Sequence, residues 1–209
     1  MSKKIMLSAG LGLLLSAAAA QATPITTPPQ PLTAIGNVTA VYVFADAGNT
    51  SILNELQPAA INQIFCNHSV GLCTGANPGD TMNLGPQNGL MQFSLHNTDT
   101  GSTFLSDTAD SDGNYHVLIS TNYADFNQGA LPGAADTVIT GLINSGLSVT
   151  YVGWEDLTKG QGSDFDYNDL IFAFANTTTR QVPEPLTMSL FGAGLAGAAW
   201  AKRRKNKKG

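Results

Sequence analysis

Apolar and polar residues alternate along several short stretches of the chain, which is the pattern of half-buried β-strands. Residues rich in Gly, Asn, Asp and Pro separate these stretches and suit turns. We predict strands at residues 38–44, 89–95, 102–105, 115–121, 136–142, 147–154 and 170–175. The pattern predicts an all-β domain built as an antiparallel β-sandwich or jelly roll.

Two segments differ from this alternating pattern. Residues 170–175 are apolar on both faces, which predicts a central, buried strand. Residues 51–65 are the one stretch with helical spacing of apolar residues, although Pro58 would break or kink that helix. The Gly/Pro/Asn-rich residues 75–87 and residues 122–132 are predicted to be loops.

The N-terminus has the three parts of a secretory signal peptide. Lys3 and Lys4 precede an apolar run at 5–15, and Ala20-Gln21-Ala22 fits the small-residue cleavage rule. We predict a signal peptide at residues 1–22. A transmembrane anchor is the weaker alternative, because the apolar run is short.

The C-terminus has a second three-part pattern. Pro183, Glu184 and Pro185 precede the uncharged run 186–201, and a Lys/Arg-rich tail closes the chain. Sixteen helical residues rise about 24 Å, a little less than a hydrocarbon core of about 30 Å, and flanking Lys and Arg can snorkel. We predict a transmembrane helix at 186–201 with its basic tail in the cytoplasm, which anchors the chain in the inner membrane.

This C-terminal pattern resembles the PEP-CTERM sorting signal, here residues 182–209. The resemblance implies recognition by an exosortase, which would cut near Pro183, Glu184 and Pro185. It also implies export to the cell surface or to an extracellular matrix of exopolysaccharide or biofilm. A plain C-terminal membrane anchor is the alternative.

The remaining residues, 23–181, have the size of one domain and an uneven charge. They contain fourteen of the fifteen carboxylates, against Lys159 and Arg180 as the only Lys or Arg, so their formal charge is −12. This charge argues against binding nucleic acid, which requires basic patches, and favours cation binding.

Cys66 and Cys73 are the only cysteines. Because export allows disulfides to form, we predict a bridge that closes the short loop between them. A zinc site is the alternative, since His68 lies between the two cysteines, but further ligands at metal spacing are missing.

Six oxygen-bearing side chains lie within 15 positions, directly after the strand that ends at Trp154. They are Glu155, Asp156, Asp164, Asp166, Asn168 and Asp169. The order D-x-D-x-N is that of the first half of an EF-hand loop, although the Gly at position 6 and the Glu at position 12 are absent. Clustered carboxylates repel unless a cation neutralises them, so we predict a Ca²⁺ site. A solvated acidic turn is the alternative.

A second acidic group has the same spacing at Asp110, Asp112 and Asn114. It would form an independent calcium loop, or the other wall of a site completed by Asp164 and Asp166. An ordinary turn is the favoured interpretation, because Asp, Asn and Gly suit turns without any ligand.

The segment 151–174, with GWEDL, a Gly-rich acidic loop and DFDYND, resembles the C-terminal signature of the DUF4114 domain. Asn114, Tyr115 and His116 resemble the segment that precedes this signature. The resemblance implies a β-rich domain of secreted or surface bacterial proteins and assigns no activity.

The motifs of common enzyme classes are absent from the sequence, and we predict no catalytic residues. We expect a structural or adhesive protein. Two other functions are possible interpretations of the sequence. A carbohydrate-binding module would stack Trp154, Tyr151, Tyr167 or Tyr123 on sugar rings. A secreted hydrolase, the weakest alternative, would use Glu155 with Asp164 or Asp166.

Overall fold

The structure is a computed structural model that describes residues 23–179. The predicted signal peptide, the sorting signal and the 186–201 helix lie outside the described residues. Within 23–179, no helix has the length and apolar character needed to cross a membrane.

The described chain is mostly antiparallel β-sheet with one α-helix. The strands are β1 (Leu32–Ala45), β2 (Ser51–Gln57), β3 (Phe65–Cys66), β4 (Thr81–Asn97), β5 (Thr103–Leu105), β6 (Val117–Ser120), β7 (Val149–Trp154) and β8 (Leu170–Thr179). The helix α1 is Gly133–Asn144, and short 3₁₀ turns lie at Tyr123–Phe126 and Lys159–Gln161. The predicted antiparallel all-β class is confirmed.

The eight strands form one sheet in the order β3-β2-β4-β1-β8-β7-β6, with β5 paired to β4. The long strand β4 belongs to two parts of this sheet. Its residues 81–91 pair with β1, and its residues 92–97 pair with β2. The two parts face each other across a core, because Phe93 of β4 packs on Phe174 of β8 with ring centroids 4.7 Å apart.

The other face of β1, β7 and β8 is covered by α1 and the 3₁₀ turn at Tyr123–Phe126. Ala135 and Ile139 are buried, and they are four residues apart, so they lie on one side of the helix. They pack with Phe126, Tyr151 and Ile171 in a second apolar cluster. This cluster also holds the aromatic residues of the acidic loop and therefore supports the candidate site.

The predicted helix at 51–65 is wrong, because Ser51–Gln57 is strand β2 and Phe65–Cys66 is strand β3. Ser51, Leu53 and Glu55 alternate as the buried residues of β2. Two of these three inward positions are polar, so the period of two was hidden in the sequence. The predicted helical spacing counted Leu56 among its apolar positions, and Leu56 is exposed in the structure.

The predicted strand at 136–142 is also wrong, because this segment lies within α1. The run Thr137-Val138-Ile139-Thr140 has the β-branched composition of a strand. Burial of Ala135 and Ile139 against the sheet outweighs this weak local preference. The predicted loop at 75–87 is correct only up to Asp80, since β4 begins at Thr81.

The predicted disulfide is present. Cys66 and Cys73 are bonded, with their Cα atoms 6.2 Å apart. The bond ties the end of β3 to the loop that follows it, and it leaves no thiolate for the zinc alternative.

Candidate metal centre

The acidic segment is the connection from β7 to β8, residues 155–169. Trp154 and Leu170 are opposite each other in the sheet, so the segment leaves and returns to neighbouring positions. Its first two residues, Glu155 and Asp156, are buried, whereas Asp164 is exposed and Asp166 half-buried. Carboxylates at both ends of the loop are therefore brought together by the pairing of the two strands.

Two residues in the loop have left-handed backbone conformations. Phe165 has φ = 57° and Tyr167 has φ = 60°, and such angles are rare for bulky side chains. Both aromatic rings are buried in the cluster beneath α1. Phe165 and Tyr167 anchor the loop in this cluster. Asp164, which precedes Phe165, and Asp166, which lies between the two aromatic residues, are more exposed. The local strain, about 1–3 kcal/mol per residue, is offset by this packing.

Gly153 allows the loop to lie directly on β7. A Cβ atom at this position would lie 2.3 Å from the carbonyl oxygen of Tyr167 and 2.5 Å from the ring of Phe126. Glycine inside a strand often marks such a close approach of another backbone. No larger residue fits at position 153 without moving the loop.

Tyr167 holds the loop through its backbone N–H and its side-chain hydroxyl. Its N–H donates to Glu155 Oε1 at 2.5 Å. Its hydroxyl accepts from the Ile25 N–H at 2.7 Å and donates to the Tyr115 carbonyl at 3.2 Å. The loop is therefore tied to the N-terminal segment and to the segment before β6.

Three carboxylates converge at the mouth of this loop. One oxygen from each of Glu155, Asp164 and Asp166 lies within 4.8 Å of the others. Glu155 is fixed on both sides, because Oε1 accepts the Tyr167 N–H and Oε2 accepts the Ser163 hydroxyl. The three residues form what we call the triad, and it combines one rigid carboxylate with two on the loop.

The electrostatics of the triad are unfavourable for three negative charges. Burial raises the pKa of Glu155, and the charges of Asp164 and Asp166 raise it further, against the hydrogen bonds from Ser163 and Tyr167. Burial also raises the pKa of Asp166, with contributions from Asp164 and Asp46. Among residues 23–179, no Lys or Arg forms a salt bridge with a carboxylate. Within this described part of the chain, the cluster therefore has no Lys or Arg to neutralise it.

Comparison with protein families identifies the chain at both places where the sequence has unusual patterns. A family model described as "Domain of unknown function (DUF4114)" matches residues 77–177. The PEP-CTERM protein-sorting motif matches residues 181–205. The chain combines a DUF4114-like domain with a PEP-CTERM sorting motif. No curated protein and no solved structure matches the chain significantly.

The sorting motif establishes the chain as an exported target of exosortase that is made as a membrane-anchored precursor. The DUF4114 match runs from just before β4 to near the end of β8 and includes the whole triad. The sequence-based resemblance to both families is therefore confirmed. The family description assigns no activity.

Behind the triad, the DUF4114-like domain holds a second carboxylate pair. Asp169 Oδ2 accepts the Asp156 N–H at 2.9 Å, and Asp156 Oδ2 accepts the Ser51 hydroxyl at 3.1 Å. Burial raises the pKa of Asp169 to about 8, and the charges of Glu155, Asp156 and Asp166 add to this effect. Burial likewise raises the pKa of Asp156. This pair is joined to β2 through the hydroxyl of Ser51.

The six predicted ligands therefore have three different positions. Glu155, Asp164 and Asp166 form the triad. Asn168 lies beside it, with its N–H donating to Asp166 Oδ1 at 3.1 Å and its amide donating to Asp166 Oδ2. Asp156 and Asp169 form the pair behind it.

The second predicted acidic group of the DUF4114-like domain folds into a self-contained turn. Asp110 Oδ1 accepts the N–H groups of Asp112 and Asn114, both at 2.9 Å. Its Oδ2 lies 2.9 Å from His116 Nε2. Asp112 is exposed, and among the described residues the convergent carboxylates are those of the triad alone. The side chains of Asp110, Asp112 and Asn114 thus do not assemble as ligands of one ion here.

The four aromatic residues considered for sugar stacking are buried: Trp154, Tyr151, Tyr167 and Tyr123. Tyr151 and Tyr123 pack on each other under α1 with ring centroids 5.5 Å apart. The interpretation of these side chains as a sugar-binding platform is therefore wrong, because their faces are occupied by the protein core.

Several residues that shape the site were missed by sequence reasoning. Ser163 and Tyr167 position Glu155, and Gly153 makes room for the loop. His116 is buried against Phe104, with ring centroids 3.9 Å apart. Only Gly153 left a signal, since a glycine interrupts an otherwise apolar strand.

Proposed function

We propose that the protein is an exported structural or adhesive protein of an exopolysaccharide or biofilm matrix, whose domain is stabilised by calcium at the triad. The observation that carries the proposal is the convergence of Glu155, Asp164 and Asp166 within 4.8 Å without a salt bridge to any described Lys or Arg. A bound cation removes the mutual repulsion that otherwise opposes the folded loop.

The donor set favours calcium over other common ions. Calcium takes six to eight oxygen ligands about 2.3–2.6 Å away, so ligands on opposite sides of the ion lie about 5 Å apart. The oxygens of the triad are within this separation. Magnesium requires a stricter octahedron, and zinc favours nitrogen and sulfur donors, which the triad does not offer.

Each residue of the triad has a distinct part in the proposal. Glu155 is the fixed ligand, since Tyr167 and Ser163 hold both of its oxygens. Asp164 and Asp166 are the ligands on the loop, and calcium would join them to Glu155. Occupancy of the triad stabilises the left-handed conformations of Phe165 and Tyr167 and so fixes the whole connection between β7 and β8.

The matrix role is supported by the sorting motif and by the charge of the domain. Extracellular modules function with weak calcium sites, because calcium outside the cell is abundant. An anionic domain without basic patches is suited to bind cations and remain soluble.

The calcium proposal is tested by thermal melting of the exported domain, residues 23–181, in calcium and in EDTA. Ligands that bind only the folded state raise its stability by about 2.7 kcal/mol at 100 times Kd. We expect a melting temperature several degrees higher in calcium, with magnesium as the matched control ion. Superimposable melting curves in calcium and EDTA would contradict the proposal.

Exosortase processing has a separate test, which does not depend on calcium. Replacing Pro183, Glu184 and Pro185 by alanine should leave the precursor in the membrane fraction of the native cell. Unchanged processing of this variant would show that another route releases the protein.

A further inference from the structure

The end of the domain that leads into the sorting motif is defined by strand pairing. Leu32, the first residue of β1, is opposite Thr179, the last residue of β8, and Ala34 is opposite Thr177. The match to the sorting motif begins at residue 181. Residues 32–34 and 177–179 thus mark the end of the domain nearest to the anchor, which we call the anchored end.

The anchored end lies close to the membrane in the precursor. Seven residues lead from Thr179 to Leu186, where the uncharged run 186–201 begins. A chain of seven residues spans at most about 25 Å. In the membrane-anchored precursor, the anchored end is therefore confined to this distance from the point where the chain enters the bilayer.

Two large apolar side chains are exposed at the anchored end. Ile35 of β1 is 51% exposed and Leu90 of β4 is 42% exposed. Leu90 is opposite Thr33, and Ile35 is opposite Asn88, so the two side chains are diagonal neighbours on one face of the β1–β4 pair. Leu90 also lines an apolar cavity of about 300 Å³ beneath the proline-rich segment 28–31. We call Ile35 and Leu90 the apolar pair.

The triad lies at the opposite end of the same strand. Trp154 is opposite Leu170, the first residue of β8, and the triad follows Trp154, whereas the anchored end contains Thr179. Ten strand residues separate the two ends by about 30 Å. Lys159, the only Lys or Arg among residues 23–179, is in the loop that carries the triad. Among the described residues the anchored end has no Lys or Arg for anionic lipid headgroups, although Arg180 follows Thr179 directly in the sequence, so the contact that its described side chains can make with a bilayer is mainly apolar.

We propose that the apolar pair contacts the outer surface of the bilayer in the membrane-anchored precursor, so that the domain stands on its anchored end and presents the triad away from the membrane. The partner is a lipid surface rich in zwitterionic headgroups, because the domain is strongly anionic. This orientation does not depend on calcium binding at the triad.

Because the domain is anchored, a weak contact between the apolar pair and the bilayer is sufficient to orient it. A short tether turns the encounter into an intramolecular one with an effective concentration in the millimolar range. Two partly exposed aliphatic side chains would not hold a free domain at a bilayer, but they can set the orientation of one that is already attached. Removal of the tether by exosortase then releases the contact together with the domain.

The test uses the full chain in vesicles of phosphatidylethanolamine and phosphatidylcholine that carry a lipid-attached fluorescence quencher. Because both native cysteines are in the disulfide, a single added cysteine can take a fluorescent label. One label is placed at Asn88→Cys, beside the apolar pair, and a reference label at Lys159→Cys, in the loop of the triad. We expect strong quenching at position 88 and little at position 159.

Two variants decide whether the apolar pair is responsible. Ile35→Ser with Leu90→Ser should reduce quenching at position 88 to the level of the reference label, with an unchanged melting temperature. The matched control is Leu72→Ser, since Leu72 is 96% exposed but lies on the disulfide loop, and it should leave quenching as it was. Equal quenching at positions 88 and 159, or quenching at 88 that survives the double substitution, would overturn the proposal.

Discussion

Two loops of this domain share the spacing D-x-D-x-N, and they use it in opposite ways. The loop Asp110–Asn114 is satisfied by its own hydrogen bonds. Asp110 accepts two backbone N–H groups and contacts His116, and these bonds outweigh burial and lower the pKa of Asp110. The loop Asp164–Asn168 faces a third carboxylate, and the pKa values of Glu155 and Asp166 are raised.

The difference comes from what lies across from each loop. Opposite Asp110 lies His116, which can donate a hydrogen bond, whereas opposite Asp164 and Asp166 lies Glu155, which cannot when ionised. The backbone contributes as well, because buried Phe165 and Tyr167 force left-handed angles on the second loop. The D-x-D-x-N spacing thus favours a turn in both loops. The side chain that the neighbouring segment places opposite the turn, His116 or Glu155, determines whether the carboxylates are satisfied by hydrogen bonds or require a cation.

The largest effect is expected for Gly153→Ala, which should detach the second loop from β7. The new Cβ would overlap the Tyr167 carbonyl and the Phe126 ring, and overpacking of this kind costs about 1–3 kcal/mol. We expect a lower free energy of unfolding in denaturant melts and loss of the calcium response. The control is Gly113→Ala in the first loop, where φ is +81° but no atom lies within 4 Å. It should cost about 1 kcal/mol and keep the calcium response.

Glu155→Gln should stabilise the second loop without calcium and remove most of the stabilisation that calcium provides. The amide oxygen still accepts the Tyr167 N–H, but the charge that repels Asp164 and Asp166 is gone. In EDTA the variant should melt higher than the wild type, and in calcium it should lose most of a stabilisation of about 2–3 kcal/mol. Asp112→Asn, in the exposed part of the first loop, is the matched control and should change neither melt. A Glu155→Gln variant that responds to calcium as the wild type does would remove Glu155 from the site.

Asp110→Asn should weaken the first loop in a way that calcium cannot repair. The substitution keeps an acceptor for the N–H groups of Asp112 and Asn114 but removes the ionised partner of His116. Hydrogen bonds to charged groups contribute about 1.5–3 kcal/mol, so we expect a loss near the lower value. Melts in calcium and in EDTA should shift by equal amounts. A loss confined to calcium would mean that Asp110 belongs to an ion site after all.

The smallest effect is expected at Glu55, a buried carboxyl that belongs to neither loop. Glu55 Oε2 accepts from Gln87 Nε2 at 3.0 Å, and Glu55 Oε1 and Gln87 Oε1 have no partner. Burial raises the pKa of Glu55 against the hydrogen bond from Gln87. The folded state therefore holds the proton more tightly than the unfolded state, and the associated stability is lost as pH rises through the folded-state pKa. Glu55→Gln should gain stability relative to the wild type in urea melts as pH rises from the ordinary pKa of glutamate, about 4.3. A difference that stays constant as pH rises would contradict the assignment.

A strand of this fold is predictable from the sequence when the residues on its buried face are all apolar. Strand β8 was predicted because residues 170–175 are apolar on both faces, and these residues are buried. Strand β2 was missed because Ser51 and Glu55 face inward, and each is satisfied by a partner that is distant in sequence, Asp156 and Gln87. Helix α1 was missed because its β-branched residues favour a strand locally, and packing on the sheet decides otherwise.

The candidate site was predictable in composition but not in arrangement. The density of carboxylates around Asp164 identified the segment, and the D-x-D spacing placed Asp164 and Asp166 on one side. In the structure Glu155 joins Asp164 and Asp166, whereas Asp156 and Asp169 form a separate pair. This arrangement depends on the left-handed conformations of Phe165 and Tyr167 and on the close approach of the loop to Gly153. Such backbone angles for Phe165 and Tyr167 have no local sequence signal.

Calorimetric titration of calcium into the exported domain tests the central claim most directly. The account predicts saturable binding of one calcium per chain, lost in Glu155→Gln and retained in Asp112→Asn. Absence of binding heat in a domain that is folded by circular dichroism, together with unchanged melting in calcium, would contradict it.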